Sequence, residues 1–286
     1  MSIGVLYMII SSFIFSIAYT FIKQASIAVG FWQTVMFRSL IGLVFVIAYM
    51  KFKNDRLIKN KDNWKLLFLR GFLGASAMIL YFYALKNTTL ASATSLHFTH
   101  PLFTTILAIW LLGEEYNLHK IGLVILALVG VLMIFRPGQG VLSLGSLAAL
   151  VSGFLASSAY MTIRKIAKKE HPLVIMGSLA AVAIVFSLPG TIMYWEQPSS
   201  YIWFALLMAG VLTTLAQFFM TLAYTSESAS YVAAFSFITI FWSMLLGRIV
   251  FGELPSFMET FGIILIFSSM VTLVVLRNRR KKHLPV

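Results

Sequence analysis

Ten stretches of about twenty mostly apolar residues follow one another along this chain with almost nothing between them: 3–22, 31–49, 66–85, 91–112, 118–135, 144–163, 173–194, 201–224, 229–251 and 257–276. A helix needs about 20 such residues to cross the hydrocarbon core of a bilayer, and there only helices or closed barrels satisfy their own backbone hydrogen bonds. The pattern predicts an all-α integral membrane protein of ten transmembrane helices. Its composition agrees, with 60% hydrophobic and 11% charged residues in 286, where soluble domains carry roughly 45–50% and about 25%. A soluble enzyme is thereby excluded. The longest link, residues 50–65, is too short for a soluble domain. The first run has no basic leader and is followed at once by further spans, so it is expected to be a retained helix and not a cleaved signal. With no cysteine, disulfides, thiolate metal sites and thiol nucleophiles are ruled out.

The formal charge of +13 would suggest nucleic acid in a soluble protein, but here the bases sit in short links between apolar runs. Their distribution therefore speaks of topology. With the N-terminus inside, sixteen Lys and Arg fall on the cytoplasmic side, in the links after the second, sixth and tenth runs and, as Lys120, at the start of the fifth run. Lys23, Lys86 and Arg136 fall opposite, and Arg38, Arg70 and Arg248 lie within runs. Both termini are thus expected in the cytoplasm of a multi-pass protein of the inner membrane, with the lipid bilayer as its partner and no nucleic acid.

The sequence also matches itself. A shift of 139 residues lays Gly71 on Gly210, Ala77 on Ala216, Ala84 on Ala223, Phe98 on Phe237 and Gly113-Glu114 on Gly252-Glu253; upstream, a shift of 141 lays Ser11 on Ser152, Ser16 on Ser157, Ala18-Tyr19 on Ala159-Tyr160 and Lys23 on Arg164. Residues 1–140 and 141–286 then form two copies of a five-helix unit. Because five is odd, the second copy enters the membrane from the opposite side and the repeats are inverted. Inverted repeats can exchange conformations around a central site, which is the geometry of alternating access.

Several motifs carry a resemblance. Tyr83-Ala84-Leu85 followed by Ala91-Ser92-Ala93, the Leu112-Gly113-Glu114 close echoed by Phe251-Gly252-Glu253, Phe37-Arg38 in the second run, and Ile134-Phe135-Arg136-Pro137-Gly138 after the fifth together resemble the EamA family of the drug/metabolite transporter superfamily. The resemblance covers essentially the whole chain. It implies a ten-helix secondary carrier with a cavity lined mainly by the first four helices of each repeat. The fifth helix of each would pack at the rear and supports dimer contacts in some members, so a homodimer is an expectation. Members carry amino acids, S-adenosylmethionine, riboflavin, sugars or drugs, so the resemblance implies no one substrate.

Arg38 lies near the middle of its run, where a charge costs roughly 2.5–3.5 kcal/mol on insertion scales and must face protein or water. All nine acids fall in links or at run ends, so carbonyls, water or a substrate anion must satisfy it. It reads either as a structural or gating group or as an anion contact. Arg70 and Arg248 lie nearer run ends and are expected to snorkel. His97 and His100 are spaced three apart, which puts them on one helix face, and Pro101 is expected to bend the helix there. A cross-helix hydrogen bond, substrate contact and proton coupling all remain open for this pair. Without a third ligand they are poor candidates for a metal site. Tyr81, Gln217 and Trp242 sit deep and need polar partners, supplied either by packing or by a cavity. Gly71, Gly74, Gly122 and Gly130 read as close-packing points, and Pro189-Gly190 as a flexible point.

The resulting expectation is a secondary active transporter for a small polar or amphipathic metabolite, an amino acid or a nucleotide-like solute such as S-adenosylmethionine. Its binding residues would be Arg38, Tyr81, His97, His100, Gln217 and Trp242, with no catalytic residues, metal or cofactor. No Gly-x-x-x-x-Gly-Lys-Ser/Thr segment for ATP is present. A broad-specificity exporter, a passive channel and a membrane-embedded enzyme are the rivals.

Overall fold

A computed structural model describes residues 2–52, 63–112, 122–123, 125–126, 129–130, 133, 143–167, 169–227, 229–254 and 256–283. Among them every regular element is a helix: α1 (Ile3–Val29), α2 (Phe31–Phe52), α3 (Trp64–Asn87), α4 (Leu90–His97), α5 (His100–Leu112), α6 (Leu144–Ile166), α7 (Pro172–Met193), α8 (Ser200–Ser226), α9 (Ala229–Phe235), α10 (Ile238–Phe251) and α11 (Phe257–His283). Seven stretches among the described residues are long and apolar enough to cross a membrane: α1, α2, α3, α6, α7, α8 and Tyr231–Phe251. Phe257–Ser269 is a shorter apolar stretch. The fifth expected run, 118–135, falls mostly outside the described residues, and those of its residues that are described are helical.

Local chemistry sets the helix ends. Thr89, Ser143 and Ser199 each accept a hydrogen bond from a first-turn backbone N–H, and the His171 ring does the same ahead of Pro172 at the first position of α7. Such caps supply partners for donors that a helix start leaves unpaired. Gly30, at φ +80°, is the single residue between α1 and α2, a backbone conformation that side chains disfavour.

Two expected spans are broken. The run 91–112 divides into α4 and α5 around Phe98-Thr99, and the run 229–251 into α9 and α10 around Ser236-Phe237. The breaks fall at nearly matching positions of the 139-residue shift. Both are tight turns in which a hydroxyl satisfies a carbonyl: Thr99 Oγ1 donates to Leu96 O at 2.7 Å and Ser236 Oγ to Ala233 O at 2.7 Å. Such a break does not require proline, since the second has none. Pro101 sits in the first turn of α5, where no helical N–H bond is lost. Pro189 likewise lies inside an unbroken α7. Gly190 instead meets the Trp32 indole, 2.5 Å from where a Cβ would stand, so the Pro189-Gly190 pair serves packing where flexibility was expected.

Packing crosses between the two halves of the chain. α1 lies along α8, α3 along α6, and α2 along α7, while α4 meets α10 and α5 meets α9. Glycines mark the close approaches. A Cβ on Gly71 would fall 2.6 Å from Ser178 O on α7, and one on Gly153 of α6 would fall 2.6 Å from His97 O at the first break. Gly210, the repeat equivalent of Gly71, meets Ile41 of α2. Large apolar side chains such as Phe45, Phe72, Phe154, Ile192, Phe204 and Ile264 are exposed. The interior mixes large apolar side chains with alanines and with many buried Ser and Thr, the small and polar groups that let membrane helices approach closely and bond to one another.

Candidate functional site

The six long helices α1, α2, α3, α6, α7 and α8, with the end of α4, enclose a cavity of about 70 Å³. That is room for a handful of water molecules. Both halves of the chain contribute to its wall. Arg38 enters from α2, Arg70 and Tyr81 from α3, His97 from the end of α4, Tyr160 from α6 and Gln217 from α8.

Arg38 is 6% exposed. Its Nε donates to Thr213 Oγ1 at 3.0 Å and its Nη1 to Met78 Sδ at 3.1 Å. The Thr213 hydroxyl spends its proton on Ala209 O at 2.6 Å, so it is free to accept from the guanidinium. Both acceptors are neutral, and a thioether is a weak one.

Arg70 was expected to snorkel to the membrane surface; it is 2% exposed and lines the cavity. Its position early in the run misled because the face a residue occupies decides its burial as much as its depth. Four residues on, Gly74 shares that face, and the Arg70 guanidinium occupies the space that a side chain on Gly74 would fill. Arg70 Nε has no hydrogen-bond partner among the described residues.

His97 stacks on Tyr81 with ring centroids 4.1 Å apart and 19° between planes. Its Nδ1 lies 2.7 Å from Ser152 Oγ, and Ser152 donates its one hydroxyl proton to Ala149 O at 2.6 Å. The imidazole must therefore donate from Nδ1, which leaves Nε2 as an acceptor. Tyr81 OH is 3.1 Å from Thr94 Oγ1, and the Tyr81 ring meets Tyr19 edge-on at 5.0 Å. Gln217 Nε2 is buried without a partner among the described residues.

Two expected site residues lie elsewhere. The break puts His97 and His100 on different helices, although their rings remain 5.8 Å apart; His100 is not among the residues lining the cavity, and its ring lies 5.0 Å from that of Tyr160. Trp242 is half-buried, packs on Phe13 and Phe241 and is not among the residues lining the cavity. Of the six residues expected at the site, the cavity brings together Arg38, Tyr81, His97 and Gln217. It adds Arg70, Tyr19 and Tyr160. The two tyrosines are the pair that the 141-residue self-match aligns, a signal present in the sequence and not used.

At one end of the bundle Gly252, at φ +65°, closes α10 in the left-handed conformation, a common helix stop. It turns the chain so that Glu253 reaches Lys23 at 2.5 Å and the Leu90 N–H at 2.7 Å. Lys23 also donates to Thr88 O at 2.6 Å.

Comparison with known proteins agrees with this architecture. The chain is 29% identical to the pseudopaline exporter CntI of Pseudomonas aeruginosa, over 98% of this chain and 97% of that one. It is 25% identical to the S-adenosylmethionine uptake transporter of Rickettsia prowazekii, over 90% and 84%. A crystal structure 19% identical in sequence matches with a TM-score of 0.71 over 97% of this chain and 96% of that one, which speaks for the fold alone. The family model for EamA-like transporters matches residues 2–136 and again 143–275. The chain is a multi-pass membrane protein that belongs to the EamA-like transporter family.

Proposed function

We propose that this protein is a secondary carrier that moves a small polar or amphipathic metabolite, an amino acid or a nucleotide-like solute, across the cytoplasmic membrane by alternating access. The observation that carries the reading is the cavity itself: it lies at the junction of three long helices from each half of the chain, with polar groups converging on it from both. A site held between two halves can be opened by rocking one against the other.

The same reading takes the chain as ten transmembrane helices in two inverted five-helix repeats, 1–140 and 141–286, with both termini cytoplasmic. Its support is the pairing of helices. If α1, α2 and α3 correspond to α6, α7 and α8, the contact of α1 with α8 maps onto that of α6 with α3, and α2 with α7 maps onto itself. The contact of α4 with α10 maps in the same way onto that of α9 with α5. The bound solute would meet Arg38, Tyr81, His97 and Gln217, with His100 and Trp242 outside contact. Relatives include an exporter and an uptake carrier, so direction follows from neither.

Exchange in proteoliposomes tests the proposal. Flux that saturates with solute and accelerates when the same solute is present on the far side marks a carrier. Linear flux without such stimulation marks a channel and ends this reading. Chemical turnover of a solute by purified protein would do the same in favour of an enzyme.

A further inference from the structure

The charge balance of the cavity narrows its cargo, and the inference rests on the carrier reading. Two guanidiniums, each less than a tenth exposed, line one small cavity from adjacent helices, and they act on one another electrostatically. No Asp or Glu lines that cavity. The one nearby cation of α1, Lys23, is already neutralised by Glu253. Arginine stays protonated in proteins, so the cavity holds two positive charges without a protein counter-ion among the described residues. Charges in such a place are expensive when unpaired, and their field draws anions.

We infer that the transported solute is a small organic dianion, with one anionic group at Arg38 and the other at Arg70. The planar fork of each guanidinium matches a carboxylate bidentately. Arg70 has its Nε free, and Arg38 is held only by a hydroxyl and a thioether, so both can turn donors to a ligand. On the same cavity wall the Nε2 acceptor of His97 and the unpartnered Nε2 donor of Gln217 suit one polar group on the backbone of the solute. A cationic solute such as S-adenosylmethionine finds no counter-charge on this wall.

The test uses full-length protein in nanodiscs and measures binding of straight-chain dicarboxylates, their monomethyl esters, glycerol phosphate, leucine and S-adenosylmethionine. Dicarboxylates are expected to bind about tenfold or more tighter than their monoesters, the equivalent of one charge-assisted contact. Arg70→Gln is expected to abolish that preference by lowering dicarboxylate affinity to that of the monoesters, and Arg70→Lys to restore part of it. Folding of each variant is checked by its melting profile. Tighter binding of glycerol phosphate, whose charge sits on a single phosphate, than of any dicarboxylate overturns the placement of two separate anionic groups. The inference is overturned if no dianion binds better than its monoester, or if a folded Arg70→Gln keeps the preference. Saturable exchange of leucine or S-adenosylmethionine together with inert dianions would overturn it while the carrier reading stands, whereas linear flux for every solute would remove the carrier reading.

Discussion

Lys23 Nζ stands 2.5 Å from Glu253 Oε1, the one ion pair among the described residues, and both side chains are largely shielded from solvent. The pair ties the end of α1 to the residue after α10. It also reaches the start of α4, because the second carboxylate oxygen takes the Leu90 N–H at 2.7 Å, where the positive end of a helix favours an anion. Three elements from both halves of the chain thus close on a single carboxylate.

Removing one partner of such a pair leaves the other charge shielded and unpaired. Glu253→Gln is expected to destabilise the protein by about 3 kcal/mol and to open this end of the bundle. The chain has no cysteine, so a single Ser92→Cys introduced beside the latch reports directly: thiol labelling should accelerate in the Glu253→Gln background. Unchanged labelling and melting would show that the pair does not hold the two halves together.

The hydrogen-bond chain from His97 through Ser152 to Ala149 O fixes the imidazole with its proton on Nδ1. Ser152→Ala removes the acceptor and leaves a buried donor unpaired, at a cost of about 1–3 kcal/mol. Nitrogen NMR of histidine-labelled protein, assigned with His97→Gln, should show the Nδ1–H tautomer in the parent and lose that preference in Ser152→Ala. A parent spectrum with the proton on Nε2 would contradict the arrangement.

Much of the fold was legible in the sequence because membrane spans impose a length and a hydropathy that few other structures share. The self-match was legible for a related reason: Gly71 and Gly210 stand where a neighbouring helix leaves no room for a larger side chain. Pro101 marked a bend in the fourth run, but the break in the ninth was not legible, since Ser236-Phe237 carries no glycine or proline and the run stays apolar enough to read as one span. The full break between α4 and α5 puts His97 and His100 on different helices, which their three-residue spacing did not show. Arg70 was hidden differently. Hydropathy measures how far along a run a charge lies and says nothing of the face it occupies.

The proline next to the first break makes a sharp test of cause. Since α9 and α10 part without a proline, Pro101→Ala should leave the break between α4 and α5 in place. Stability should change by less than about 1 kcal/mol, because the first turn of a helix tolerates proline without needing it. Spin-label distances between the two ends of this span, compared with the parent, would read the geometry. Lengthening toward a straight 22-residue helix, about 33 Å, would return the break to proline.

Gly71 and Gly74 lie one turn apart on α3, and their substitution separates packing from binding. A Cβ on Gly71 would stand 2.6 Å from Ser178 O, a backbone atom that cannot yield without moving α7. Gly71→Ala is therefore expected to cost about 1–3 kcal/mol, as overpacked interiors do. At Gly74 the obstacles are the mobile ends of side chains, the Arg70 guanidinium and Leu179 Cδ1. Gly74→Ala should leave stability within about 1 kcal/mol of the parent while pushing the guanidinium from its seat. The binding preference that Arg70 confers should then weaken in Gly74→Ala although Arg70 is present, which a melting profile paired with solute titration would detect. Equal loss of stability in both variants would mean that the space beside Gly74 serves helix packing and not the placement of Arg70.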